Sequence, residues 1–154
     1  MDGGLSGAVR PARPEDVDAL LRLEEAAFPG DRLDRRGFRH AVRSPTIIAL
    51  VADGPDGPQG YVLVETRRNA RVARLSSVAV APDGGGQGTG RRLIEAAERA
   101  VRDGGRTAIR LEVRADNARA IALYERRGYR RTGRDDDYYE DGEAALRFEK
   151  PLDD

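Results

Sequence analysis

Residues 83–90 read Asp83-Gly84-Gly85-Gly86-Gln87-Gly88-Thr89-Gly90 and lie between two segments of clear periodicity. A strand-like run ends before them at Pro82, and Leu93, Ile94, Ala97 and Val101 follow at helical spacing. Glycines let successive backbone N–H groups converge, and the dipole of the following helix adds positive potential at the same place. Strand, glycine turn and helix in that order therefore form an anion site. Two phosphate-binding patterns fail here. A P-loop needs Gly-Lys-Ser/Thr, and the only lysine is Lys150. A dinucleotide fingerprint needs Gly-x-Gly-x-x-Gly, but its final place falls on Thr89 or Arg91.

A second constellation lies downstream in Leu111-Glu112-Val113-Arg114-Ala115-Asp116-Asn117. Alternation puts Glu112 on the polar face of a strand with Arg110 and Arg114, while Leu111 and Val113 face the core. By spacing alone, Glu112 reads equally as a general base or as an ordinary partner of those arginines. Asn117 suits a helix cap. On the helix it opens, Tyr124 follows Ala120 by four places and Ile121 by three, the position of a buried core tyrosine. Further on, Asp135-Asp136-Asp137-Tyr138-Tyr139-Glu140-Asp141 makes an acidic loop. It reads as a solvated hairpin or as an attractor of a basic molecule, with the tyrosines lining the slot.

The elements that hold these groups can be read in order. Val9 to Arg13 is extended, and Pro14-Glu15-Asp16 opens a helix bearing Val17, Leu20, Leu21, Leu23 and Phe28, which Pro29-Gly30 stops. A second helix is expected over Asp34 to Arg43. Strands at Thr46–Ala52, Gln59–Arg67 and Val72–Ala81 make an antiparallel meander. The helix after the glycine turn stops at Gly104-Gly105. Thr107 to Arg114 is a strand, and the Asn117-capped helix ends at Gly128. Tyr129–Thr132 and Ala144–Glu149 are terminal strands. The order βααβββαβαββ predicts one α/β domain over residues 9–152, with a mixed, mostly antiparallel sheet flanked by helices. Residues 1–8 are expected to be a flexible N-terminus.

Val78-Ala79-Val80-Ala81-Pro82 followed by Gln87-Gly88-Thr89-Gly90-Arg91 resembles the pyrophosphate-binding motif of the GNAT superfamily of N-acetyltransferases. The segment from Leu111 through Asn117, Tyr124, Gly128-Tyr129 and Tyr138-Tyr139 is similar to its second half, and most like the bacterial ribosomal-protein-alanine N-acetyltransferases. The motif's first Gln/Arg falls on Gly85, which removes a side chain but leaves each backbone donor. The resemblance implies a single-domain GNAT fold and acetyl-CoA as co-substrate, with its pyrophosphate on the amides of Gly86, Gln87, Gly88, Thr89, Gly90 and Arg91. It also implies thioester polarisation by the backbone near Val78, Ala79 and Val80, and a pantetheine contact at Asn117. Glu112 matches the family's catalytic glutamate, and Tyr124 the tyrosine that protonates the departing thiolate.

The implied reaction is direct attack by a primary amine in a ternary complex. The chain has no cysteine, and no serine lies in a nucleophile elbow. An α-amine of pKa ~8 costs about 1.4 kcal/mol to deprotonate at pH 7, against about 4.6 for a lysine of pKa ~10.4. A single carboxylate base suits the former. The expected acceptor is therefore a basic protein or peptide N-terminus, as in the resembling family. The alternatives are a small amine of aminoglycoside or polyamine type, and a non-catalytic acyl-CoA-binding module.

The 27 basic and 27 acidic residues balance, so no global field favours nucleic acid or a membrane. Without cysteine and with only His40, no metal site is expected. The first residues carry neither a basic segment nor an apolar run, and the expected location is the cytoplasm. Monomer and homodimer both fit.

Overall fold

The run Gly60-Tyr61-Val62-Leu63-Val64 is apolar at every place, which a strand tolerates only when both faces of its sheet are covered. In the computed structural model, which describes residues 8–28, 30, 33–82 and 88–152, that run lies in the middle of the molecule. Its elements in chain order are β1 (Val9–Pro11), a 3₁₀ turn (Pro14–Asp16), α1 (Val17–Ala27), α2 (Arg35–Arg43), β2 (Ile47–Gly54), β3 (Gly57–Glu65), β4 (Val72–Val80), α3 (Thr89–Asp103), β5 (Ala108–Arg114), α4 (Ala118–Arg126), β6 (Arg130–Asp135) and β7 (Ala145–Pro151). The α/β order read from the sequence holds. The first helix differs in starting with a 3₁₀ turn at Pro14. The sixth strand runs on to Asp135, past the predicted Thr132. The predicted stop at Pro29 and the flexible N-terminus up to residue 7 lie outside the described residues.

Strands of the described residues form a seven-stranded sheet ordered β1-β2-β3-β4-β5-β7-β6. Neighbours are antiparallel except β4 and β5, which run parallel through the α3 crossover. Side-chain alternation divides the interior in two. Val62, Val64, Leu75, Leu111 and Phe148 pack under α3 and α4 with Leu93, Ile94, Val101 and Tyr124. Val51, Tyr61, Leu63 and Ala79 pack under α1 and α2 with Leu20, Leu23 and Phe38.

One irregularity shapes the centre. Leu63 pairs with Ser77 but Val64 pairs with Leu75, so Ser76 is an extra residue bulged out of β4. The parallel β4–β5 pairing covers only Val72–Ala108 to Leu75–Leu111. Beyond it β4 continues to Val80 and β5 to Arg114 without a shared ladder, so the two strands part in the middle of the sheet.

Candidate functional site

The parting of β4 and β5 leaves backbone N–H groups of β4 facing a cleft rather than a ladder partner. Glu112 and Tyr124 lie on opposite faces of the parted sheet. Glu112 is the first β5 residue past the last ladder pair, and alternation turns it to the α1/α2 face. Its side chain is only 10% exposed, and both oxygens are held: Arg74 Nε donates to Oε1 at 2.8 Å and Arg110 to Oε2 at 3.0 Å. A carboxylate has about four lone-pair positions, so this clamp fixes its orientation and leaves acceptor capacity over. The partners differ from the sequence reading, which paired Glu112 with Arg110 and Arg114. Arg114 instead binds Asp116 at 3.1 Å and Asp141 at 2.8 Å. The pairing with Arg74 arises because parallel β4 places that side chain beside Arg110 in register, which spacing along one strand cannot reveal.

Tyr124 comes from the other face, where α4 buries it to 4% exposure against Tyr129 in an edge-to-face contact of 5.6 Å between ring centroids. Burial, with a smaller contribution from Tyr139, pushes its hydroxyl well above the ordinary phenol range, so it stays protonated at neutral pH. Tyr139 lies within electrostatic reach of both Tyr124 and Glu112. Burial first, then Tyr138, pushes its pKa up to about 12, and the Arg114 guanidinium sits 5.0 Å from its ring centroid. The acidic loop is thus partly neutralised from within, with Asp135 on Arg147 and Asp136 on Arg134 as further pairs. Tyr138 is its exposed aromatic, at 44%.

The glycine turn predicted to bind an anion leads into the start of α3. Gly88 is the N-cap with φ of 75°, a left-handed conformation that glycine adopts at no steric cost, and it has no side chain to cap the helix. The first-turn amides of any helix lack partners within it. A Cβ on Gly90 would lie 3.4 Å from Leu123 and 3.8 Å from Val80, so glycine lets this turn approach both α4 and the end of β4. Arg91 is exposed on the first turn and pairs with Glu95 at 3.2 Å. Thr89 is fully buried, and its hydroxyl oxygen accepts from Gln59 Nε2 at 3.1 Å and from Arg92 at 3.4 Å. Gly86 and Gln87, with Gly85, lie outside the described residues. Val78 and Val80 pack on the α3/α4 side and Ala79 on the opposite side. Asn117 caps α4, its Oδ1 accepting from Ala120 N at 3.1 Å as the sequence predicts. The close approach of the α3 start to α4 and to the end of β4 is the feature the resemblance assigns to the cofactor, while the Asn117 backbone N–H is already committed to Arg114 O at 3.0 Å.

Two buried carboxylates escaped the sequence reading. Glu24 is 4% exposed and Glu98 3% exposed. Glu98 accepts from Arg127 at 2.9 Å, Tyr129 at 2.9 Å and Lys150 at 3.1 Å, tying α3 to the ends of α4 and β7. Glu24 Oε1 accepts a hydrogen bond from the Tyr61 hydroxyl, and its other oxygen accepts from Leu33 N at 2.7 Å. Each stands at an apolar-face position of its helix, Glu24 four places after Leu20 and Glu98 four after Ile94, and that was the available signal. Among the described residues no cluster of His, Asp and Glu is arranged to hold a metal, and no helix is long and apolar enough to cross a membrane.

A sheet parted at its centre, with a helix-start anion site at the head of the parting, is the architecture of acyl-CoA-dependent acyl transfer. Residues 17–129 match the Acetyltransferase (GNAT) family, and the chain belongs to it. It is 26% identical to the N-alpha-acetyltransferase of Saccharolobus solfataricus, over 98% of this chain and 96% of that protein. It is 28% identical to a putative ribosomal protein bS18-alanine N-acetyltransferase of Bacillus subtilis, over 90% of this chain and 91% of that one. Its fold superposes on the ribosomal-protein-S18-alanine N-acetyltransferase of Escherichia coli with a TM-score of 0.85 at 26% identity, covering 96% and 94% of the two chains. The protein is an acetyl-CoA-dependent N-acetyltransferase.

Proposed function

We propose that the acceptor is the α-amine of a protein or peptide, acetylated by direct attack with Glu112 as base and Tyr124 as acid. The observation that supports the reading is that the sheet parts between β4 and β5 just before Glu112, with Tyr124 packed on the opposite face of the sheet. Such a cleft admits the amine from the α1/α2 side and the thioester from the α3/α4 side, so both meet without a covalent enzyme intermediate.

Glu112 removes a proton from the α-ammonium, directly or through one water, and frees the nitrogen lone pair. N–H groups of β4 near Val78–Val80 donate to the thioester oxygen as negative charge develops there. Bond formation from nitrogen to the carbonyl carbon and loss of the C–S bond then yield the amide. Tyr124 gives its proton to the departing sulfur, the second proton shed by the nitrogen as the amide forms restores the Tyr124 hydroxyl through water, and the proton held by Glu112 returns to solvent. Support for an α-amine comes from the modest cost of deprotonating it at pH 7, from the acidic loop beside Tyr139, and from relatives named for N-terminal or alanine acetylation.

Free-thiol release from acetyl-CoA tests this reading with basic Ala- and Ser-initiated peptides, each also supplied blocked at the N-terminus. Release with the free peptides alone is expected. Release that persists with blocked peptides, or appears only with polyamines or amino sugars, would contradict the α-amine assignment.

A further inference from the structure

The buried carboxylate of Glu24 is the far end of a chain that reaches the cleft. Glu24 Oε1 accepts from the hydroxyl of Tyr61, a residue with no exposed surface, and the Tyr61 oxygen lies 2.8 Å from Ser77 Oγ. Ser77 follows the parting for a topological reason. Arg74 pairs with Arg110 and Leu75 with Leu111, where the ladder ends. Ser76 is the bulge against β3, so Ser77 is the next β4 residue after Arg74 to pair on the α1/α2 face, as Glu112 is the next β5 residue after Arg110 on that face. Its pairing with Leu63 puts it on the α1/α2 face, the face of Glu112.

The direction of the hydrogen bonds along this chain follows from elementary donor counting. Both oxygens of Glu24 accept, one from Tyr61 and one from Leu33 N. Tyr61 has a single hydroxyl proton, and it is committed to Glu24. Burial and the neighbouring carboxylate both hold that proton on the phenol. The Tyr61 oxygen can therefore only accept from Ser77, which spends its own single proton there. Ser77 Oγ is left with lone pairs alone to offer its other neighbours. A hydroxyl fixed as a pure acceptor is suited to an N–H donor and ill suited to a carbonyl or carboxylate.

We infer that Ser77 is an amine-binding residue: its oxygen accepts a hydrogen bond from the acceptor nitrogen on the face of Glu112, and Tyr61 and Glu24 are positioning residues that fix its polarity. With Glu112 and Ser77 each holding one N–H, the nitrogen lone pair turns towards the parting where the thioester carbonyl is attacked. This rests on amine acetylation in the cleft but not on the amine belonging to a peptide.

The test separates acceptor from cofactor kinetics. Ser77→Ala is expected to raise the KM for an Ala-initiated basic peptide about three- to tenfold, the worth of one hydrogen bond, with KM for acetyl-CoA unchanged. Ser77→Thr keeps the hydroxyl and should restore most of the loss. Glu24→Gln is near-isosteric but can donate to Tyr61. That change lets Tyr61 donate to Ser77 and turns the serine proton into the cleft, so the peptide KM should rise again while acetyl-CoA binding holds. If the wild-type enzyme acetylates spermidine and no peptide, the same comparison is made with spermidine, and only the peptide assignment falls. A Ser77→Ala enzyme within about twofold of wild type on its acceptor overturns the inference. So does a loss shared equally by acetyl-CoA, or failure of the wild type to acetylate any amine.

Discussion

Two guanidiniums clamp the Glu112 carboxylate, and burial holds the proton of Tyr124 on its hydroxyl. Tyr124→Phe keeps the buried ring and removes the proton donor. Turnover should fall by about 10²-fold or more, the ordinary worth of a general acid, with acetyl-CoA affinity little changed. Stopped-flow turnover beside cofactor titration checks this, and a variant retaining full turnover would remove Tyr124 from the reaction. At this scale the sequence was informative about residue types and silent about partners. The buried Tyr124 and the capping role of Asn117 follow from helical spacing. The Glu112–Arg74 pair and the Ser77–Tyr61–Glu24 chain span 38, 16 and 37 positions, and only the folded sheet brings their members together.

At the scale of elements, the bulge at Ser76 and the short β4–β5 ladder open the cleft, and the left-handed Gly88 starts α3 beside it. Gly88→Ala forces a Cβ onto a φ of 75°, at a cost of about 1–2 kcal/mol. The chain can relieve this by shifting the α3 start, so acetyl-CoA affinity should drop several-fold together with Tm. Gly105, with φ of 86° and open space around it, lies at the other end of α3. Gly105→Ala should lower Tm comparably and leave affinity intact. Equal affinity in the two variants would mean that the start of α3 does not grip the cofactor. Periodicity made each helix and strand legible, because α3, β5 and α4 alternate or repeat without ambiguity. It did not reveal where β4 and β5 part. Ser76-Ser77 in a strand otherwise rich in apolar residues is the only local mark of that break.

For the whole molecule, the sheet is tied together by ion pairs that join remote segments. Arg10 of β1 binds Asp16 at 2.8 Å and Asp53 at 2.6 Å, fixing the edge strand to the first helix and to β2. The hydrogen bond from Arg10 chiefly holds the Asp16 carboxyl below the usual carboxylate range, against the opposing effect of burial. A carboxylate with a depressed folded-state pKa stabilises fully above its unfolded value of about 3.9, and that contribution disappears as pH falls through the folded value. Asp16→Asn should therefore lower Tm at pH 7, and the gap from wild type should narrow as pH drops below about 4. A gap that stays constant down to pH 2 would exclude the linkage.

The central claim is that Glu112 takes the proton from the acceptor amine. Turnover of wild type and Glu112→Gln across pH 6 to 9, with acetyl-CoA affinity recorded alongside, tests it most directly. An α-amine titrates within that range, near pH 8. At pH 7 the variant should turn over about 10²-fold or more slowly while binding acetyl-CoA as before. Its deficit should shrink towards pH 9 as the amine arrives already neutral. Equal turnover of the two enzymes throughout would contradict the account.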